Sequence, residues 1–328
     1  MQRTVSLLDR ETLEELVARY DIGQLLEQRP ACRGIENRNY FIMTAQDGVR
    51  RDWVLTVLEQ PSHAGSSYVP LLDLCHESGL PVAPVIRNVA GDAIESVDGK
   101  RAMLSAMLPG QHVDSPSVEQ ARALGRFIGE FHRAARRPEF KVPAYPRNGR
   151  WLRDRESEVR GRLADPDARL GAHAVQRVAD LLDREDVARL PSGPVHGDLF
   201  RDNVLFNGPK LTGVVDFHHA AHGYLVYDLA VAVNDWCSGP DGALDLQRSA
   251  ALARAYHGVR PLGGRETRLF ADFLLYAALA FWLSRLTVAA RAGRDSTTRF
   301  KDPDEFKAIV LDRGTHLSSY QAFFRASL

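Results

Sequence analysis

Asp198, Asn203 and Asp216 are the residues whose types and spacing point to chemistry. They lie in the segment Val195-His196-Gly197-Asp198-Leu199-Phe200-Arg201-Asp202-Asn203-Val204-Leu205-Phe206, which continues Asn207-Gly208-Pro209-Lys210-Leu211-Thr212-Gly213-Val214-Val215-Asp216-Phe217. Asn207–Lys210 reads as a turn between two apolar runs, Val204–Phe206 and Leu211–Val215. Antiparallel pairing across that turn sets Asn203 opposite Val215 or Asp216, so an amide oxygen and a carboxylate share one end of a two-stranded ribbon. Hard oxygen donors of this kind suit Mg²⁺, which takes few protein ligands and fills its shell with water and phosphate. Asp198, in the loop before the ribbon, adds a third oxygen group able to orient and deprotonate an attacking hydroxyl. Positioning and charge neutralisation are what phosphoryl transfer asks of a protein.

The neighbours read as supporting parts. His196 is expected to hold backbone in the loop, and Asp202 to be solvated or to cap it. His219 and His222 are three apart, but no cysteine or helical frame accompanies them, so 218–222 reads as a loop and not as a zinc site.

The elements that must position these groups follow from periodicity. Leu13, Leu16, Val17 and Tyr20 share one face of a helix from about Asp9 to before Gly23. Short β-like runs follow at Asn39–Thr44, Trp53–Leu58, Pro84–Arg87, Ala93–Val97 and Arg101–Ala106, with an Asp47-Gly48 turn and a helix over 68–78. Leu108-Pro109-Gly110 reads as a hinge. Beyond it the pattern is helical, at about 118–131, 151–164, 173–185, 224–235, 243–256, 265–291 and 314–325, interrupted only by the β-like Val195–Phe217. The expected fold is α+β and bilobal: a small mixed lobe with an antiparallel sheet over 1–108, and a larger, mainly helical lobe over 109–328.

With these residues in view, His196-Gly197-Asp198, Asn203 and Asp216 resemble the H-G-D-x-x-x-x-N…D signature of the aminoglycoside-phosphotransferase-like kinases, whose fold is that of protein kinases. Tyr227-Asp228-Leu229-Ala230 fits the same pattern, and the resemblance implies that Asp228 braces the catalytic loop. Within that superfamily the chain looks most like the homoserine kinases. The supporting runs are Gly34-Ile35-Glu36-Asn37-Arg38-Asn39-Tyr40-Phe41, Val54–Glu59, Asn234-Asp235-Trp236-Cys237, Phe281–Leu286 and Lys301–Lys307. The resemblance implies ATP as phosphoryl donor, Mg²⁺ on Asn203 and Asp216, Asp198 as catalytic base, and the side-chain hydroxyl of L-homoserine as acceptor. A related kinase acting on an aminoglycoside or amino alcohol, or a nucleotide-binding regulator without catalysis, are the alternatives. The nucleotide is expected at Gly34, Asn37, Arg38, Asn39, Thr56 and Met107.

The third strand carries Thr56 where such kinases usually hold a phosphate-binding lysine, and no carboxylate opens the 68–78 helix to pair with one. The homoserine kinases share the threonine. Backbone N–H groups of the Gly34–Asn39 loop and the Arg38 guanidinium are the expected substitutes. The head of an amino-acid substrate needs a cation and an anion, and Arg285, beside Trp282, and Asp235 are the expected pair.

Composition bounds the remaining choices. The 328 residues contain 42 basic and 42 acidic side chains, a balance that argues against a polyanion binder and, more weakly, against a polycationic substrate. Three well-separated cysteines, Cys32, Cys75 and Cys237, suggest no disulfide framework and favour a reducing compartment. The first twenty residues read as an amphipathic helix, and the apolar run Phe273–Leu283 is too short to span a bilayer. These features predict a cytoplasmic protein with a small-molecule substrate and no nucleic-acid or membrane partner.

Overall fold

A computed structural model of the chain describes residues 7–31, 37–59, 68–137, 142–292 and 301–328. The chain divides into two compact units, Met1–Pro109 and Gly110–Leu328.

In the first unit, α1 (Arg10–Val17) starts where the Asp9 carboxylate accepts the Thr12 N–H at 2.8 Å. It is followed by β1 (Gln24–Pro30), β2 (Arg38–Gln46), β3 (Val49–Leu58), α2 (Val69–Glu77), β4 (Val85–Ile86), β5 (Glu95–Val97) and β6 (Lys100–Ala106). All strand pairs are antiparallel, in the order β1-β2-β3-β6-β4, with β5 on β6. The sheet has one strand more than the sequence patterning implies. Strand β1 has no apolar alternation, because it is an edge strand with only Leu25 buried.

Alternation along the strands sorts side chains onto two faces. Tyr40, Ile42, Leu55, Val57, Ala102 and Leu104 pack with Leu13, Leu16 and Val17 of α1 in one core. Asn39 and Thr56, directly opposite one another, fall on the other face.

The second unit holds α3 (Val118–Ala135), α4 (Gly149–Arg160), α5 (Asp165–Leu182), α6 (Glu185–Ala188), β7 (Ser192–Val195), β8 (Val204–Asn207), β9 (Lys210–Val214), β10 (Ala221–Tyr224), α7 (Leu225–Trp236), α8 (Leu246–Val259), α9 (Gly264–Ala292), α10 (Pro303–Thr315) and α11 (Leu317–Ser327). Ser117 and Gln120 close a reciprocal capping box at the start of α3. Asp302 caps α10 and Pro303 occupies its first turn, so the Lys301–Lys307 run is a helix start. The 314–325 helix expected from the sequence is divided at His316 between α10 and α11.

Helix α9 extends well past the apolar run Phe273–Leu283 and by length and composition alone could cross a membrane. In the protein 72% of its apolar window is buried, which makes it a core helix. Cys75 and Cys237 are buried thiols, and burial pushes each up to about 12. Cys32 lies outside the described residues.

Candidate active site

Strands β8 and β9 pair Val204 with Val214, and the Val215 N–H reaches the Asn203 carbonyl at 3.0 Å. A register shift between Leu205 and Phe206 sets Asn203 opposite Val215, one of the two partners the sequence leaves open, and Asp216 follows at once. Asp216 adopts the left-handed conformation (φ 71°, ψ 44°), which turns the chain sharply at the end of the ribbon. A second, two-stranded sheet flanks it, β7 against β10, so the loop 196–203 leaves one small sheet and enters another.

This loop is held from below by Asp228 of α7, which is fully buried. One carboxylate oxygen accepts the His196 N–H and the other the Gly197 N–H, each at 2.7 Å. His132 of α3 approaches the same carboxylate with Nε2 at 3.2 Å, while its Nδ1 lies 2.9 Å from the Tyr256 hydroxyl. Arg260 donates to that hydroxyl, so the hydroxyl proton goes to His132 Nδ1 and the imidazole Nε2–H goes to Asp228. Burial alone would raise the Asp228 pKa. The His132 hydrogen bond, the neighbouring imidazoles and the backbone N–H outweigh burial and hold it below the usual carboxylate range.

His196 Nε2 lies 2.9 Å from the Val215 carbonyl and its Nδ1 accepts the Asp198 N–H at 3.3 Å. The ring is thus a neutral cross-brace between loop and ribbon, and burial pushes its pKa down. Gly197 has φ +79°, and a side chain there would meet the Tyr145 ring at 3.2 Å and the His219 carbonyl at 3.3 Å. Only glycine suits that position.

Asp198 is the residue this frame presents. Asn203 Nδ2 donates to the Asp198 carbonyl and to its carboxylate, both at 2.8 Å. Burial pushes the Asp198 pKa up to about 6, against the opposing influence of His219, Lys301 and Arg147, while Asp202 adds to the rise. With its nitrogen committed to Asp198, Asn203 turns its Oδ1 away from that carboxylate. Asp216 would be raised by burial, but His218, whose Nδ1 lies 2.7 Å from one carboxylate oxygen, keeps it in the ionised form. An amide oxygen and an ionised carboxylate at one ribbon end are a donor set that fits Mg²⁺.

The first unit gives the other expected residues separate settings. Thr56 Oγ1 donates to Asn39 Oδ1 at 2.7 Å. Arg38, one residue earlier, projects to the opposite face, where it and Lys100 both bond the Glu59 carboxylate. A lysine–glutamate pair therefore exists in this unit, on the α1 face and away from Thr56. Asn37 is buried; its Oδ1 accepts the Glu59 N–H at 3.3 Å and its Nδ2 has no hydrogen-bond partner among the described residues. Met107 is 40% exposed, and its N–H bonds the Asp52 carbonyl. Gly34 lies outside the described residues.

The expected head-group residues are also engaged. Asp235 accepts the Arg201 N–H at 2.7 Å and its guanidinium at 3.1 Å, and burial raises its pKa against that cation. Arg285 bonds Glu305 at 2.6 Å and the Asp302 carbonyl at 2.8 Å. Trp282 is buried, and its ring lies within van der Waals reach of Gly171 on α5. Sequence reasoning passed over His132. A histidine on the buried face of α3 was the available signal, since a core imidazole needs partners.

A loop carboxylate braced by a buried aspartate, ahead of an amide and a carboxylate on one ribbon, defines a phosphotransferase with a hydroxyl acceptor. The chain belongs to the phosphotransferase enzyme family, whose pattern matches residues 27–262. Within it the chain stands with the homoserine kinases: it is 38% identical to homoserine kinase of Pseudomonas aeruginosa LESB58 over 93% of this chain and 95% of that one. It is 36% identical to homoserine kinase of Methylobacillus flagellatus over 92% of each. Among solved structures it shares its fold with a microcompartment-associated aminopropanol kinase (TM-score 0.71, 20% identity, 95% and 99% of the two chains). It also shares the fold with a spectinomycin phosphotransferase solved with ADP and spectinomycin (TM-score 0.65, 11% identity, 98% and 99%).

Proposed function

We propose that this enzyme transfers the γ-phosphoryl group of ATP to the side-chain hydroxyl of L-homoserine, and that it works in the cytoplasm. The observation that carries the reading is the Asp198 carboxylate, oriented by Asn203 beside the Asp216 ribbon, in a chain similar along nearly its whole length to homoserine kinases. Asp198 receives the hydroxyl proton as the acceptor oxygen bonds to phosphorus, and the bridging oxygen of ATP leaves with ADP. Asn203 keeps that carboxylate aimed, and His196 and Asp228 keep the loop backbone from shifting when the charge on Asp198 changes. Bound Mg²⁺ would neutralise phosphate charge, with Asn203 Oδ1 and Asp216 as its protein ligands. Asn37, Asn39, Thr56 and Met107 are the groups of the first unit we assign to the nucleotide. Arg38 is tied to Glu59, so we assign it a supporting part at the sheet end.

The test is an ADP-release assay with L-homoserine, L-serine, 3-aminopropan-1-ol and spectinomycin as acceptors. The expected result is the highest kcat/KM for L-homoserine. A clear preference for the amino alcohol or for the antibiotic would overturn the reading.

A further inference from the structure

Three phenylalanines in the second unit form a cluster, and each carries a cation on its face. Phe200, two residues after Asp198, stands edge-on to Phe281 of α9 with centroids 4.5 Å apart. It lies 5.7 Å from Phe306 of α10, the same separation as between Phe281 and Phe306. Lys301 Nζ is 4.6 Å from the Phe200 centroid, the Arg147 guanidinium 4.2 Å from that of Phe281, and the Arg285 guanidinium 4.4 Å from that of Phe306. An aromatic face attracts a cation while excluding part of its water, which strengthens whatever anion the cation meets next.

The three cations differ in what they face. Arg285 is bound up with Glu305 and the Asp302 carbonyl, a contact that joins α9 to α10. Lys301 meets Asp202 at 2.7 Å. Arg147 lies on the ring of Phe281, which abuts Phe200, and Lys301 lies on the Phe200 ring itself, two residues after Asp198.

The backbone fixes the place of Arg147. The segment before it runs along β10: the His222 N–H bonds the Pro143 carbonyl at 2.7 Å, and the Tyr145 N–H bonds the His222 carbonyl at 2.9 Å. The Tyr145 ring lies against Gly197, the residue before Asp198, and its hydroxyl bonds that of Tyr227 at 2.8 Å. The Tyr276 hydroxyl then donates to the Arg147 carbonyl at 2.6 Å. A guanidinium is thereby set at a built position beside the catalytic loop, on an aromatic wall shared with Phe200.

We infer that Arg147 binds the α-carboxylate of the phosphoryl acceptor, with Lys301 flanking it, and so selects an amino acid over the corresponding amino alcohol. This rests on the substrate reading above. In homoserine three carbons separate the hydroxyl from the carboxylate. A cation on the aromatic wall beside Phe200, in a segment whose Tyr145 ring lies against Gly197, is therefore placed to meet the far end of a substrate whose hydroxyl meets Asp198. The planar guanidinium offers two parallel N–H donors to a carboxylate, and its weak hydration lets it stay on the Phe281 ring while doing so.

The experiment compares kcat/KM for L-homoserine with that for 3-aminopropan-1-ol, which is homoserine without its carboxylate. The wild type, Arg147→Gln, Arg147→Lys and Lys301→Gln are measured side by side. The homoserine-to-aminopropanol ratio is expected to fall about 10- to 150-fold in Arg147→Gln, the loss of a charge-assisted hydrogen bond. A smaller fall is expected in Arg147→Lys, which keeps the charge and loses the fork, and in Lys301→Gln. If Arg147→Gln does not fold, the other two variants carry the same test. A ratio that stays at the wild-type value, or equal losses on both alcohols, overturns the inference while leaving homoserine kinase activity standing. A wild-type enzyme that phosphorylates another alcohol and ignores homoserine overturns the substrate reading and this inference with it.

Discussion

At the residue scale, Asp198 is set apart by how little of its surroundings it shares with an ordinary surface carboxylate. Its backbone N–H is capped by His196, its carbonyl accepts the Phe200 N–H, and its carboxylate is aimed by the Asn203 amide. Burial raises its proton affinity, and the nearby cations keep the rise moderate. Asp198→Asn retains the shape and loses the base. The expected outcome is a kcat reduced at least ~10²-fold, with the calorimetric affinity for Mg·ATP little changed. A folded Asp198→Asn enzyme with near-normal turnover would remove Asp198 from the catalytic role.

Among elements, the contact between α3 and α8 governs the site most directly, because α3 carries His132 and α8 carries Tyr256. The hydrogen bond from Tyr256 through His132 to Asp228 exists only while those helices keep their spacing. Gly125 sets that spacing: a Cβ there would lie 2.1 Å from the Leu252 carbonyl oxygen. Gly125→Ala must therefore push the helices apart, although alanine is the better helix former. Overpacking of this kind costs about 1–3 kcal/mol, which for a unit of this size lowers Tm by roughly 2–10 °C. Scanning calorimetry of Gly125→Ala checks it, and a Tm equal to or above wild type would show that the interface yields without cost. Helix α7 is tied in a comparable way on its far side. The fully buried Arg313 bonds Asn234, Ser238 and the Gly242 carbonyl and pairs with Asp312, which accounts for an asparagine and an arginine in the core.

For the molecule as a whole, nucleotide binding should stabilise the fold through the metal. A ligand held only by the native state adds about 2.7 kcal/mol at a hundredfold excess over its Kd. Mg·ATP is expected to raise Tm by several degrees, EDTA to abolish the rise, and Asp216→Ala to bind Mg·ATP no better than metal-free ATP. Thermal shift with and without EDTA measures this. A full shift in Asp216→Ala would transfer the metal to other ligands. The even charge balance gives no net attraction toward polyanions at this scale, so ATP recognition depends on local groups.

The features legible in the sequence were those decided by neighbours in the chain. The Asn207–Lys210 turn and the flanking apolar runs are enough to bring Asn203 and Asp216 to one end of the ribbon, because hairpin pairing follows from the turn and the alternation, while the partner Val215 is set by a register shift between Leu205 and Phe206. The order His196, Asp198, Asn203, Asp216, Asp228 identified the phosphotransferase class, and helical periodicity located most of the large unit. Tertiary structure decided which charges are engaged. Arg38 and Asn39 are adjacent, yet strand alternation sends them to opposite faces, and Arg38 meets Glu59 only because β2 and β3 pair. Asp235, expected as the ammonium partner, holds Arg201, which the fold brings to it from 34 residues away. Arg147 carries no motif; the pairing of its segment with β10 sets the neighbouring Tyr145 against Gly197 of the loop. Turns and caps are local bonds with local sequence signals, whereas ion-pair partners are chosen by packing across the fold, and their spacing in the chain does not reveal them.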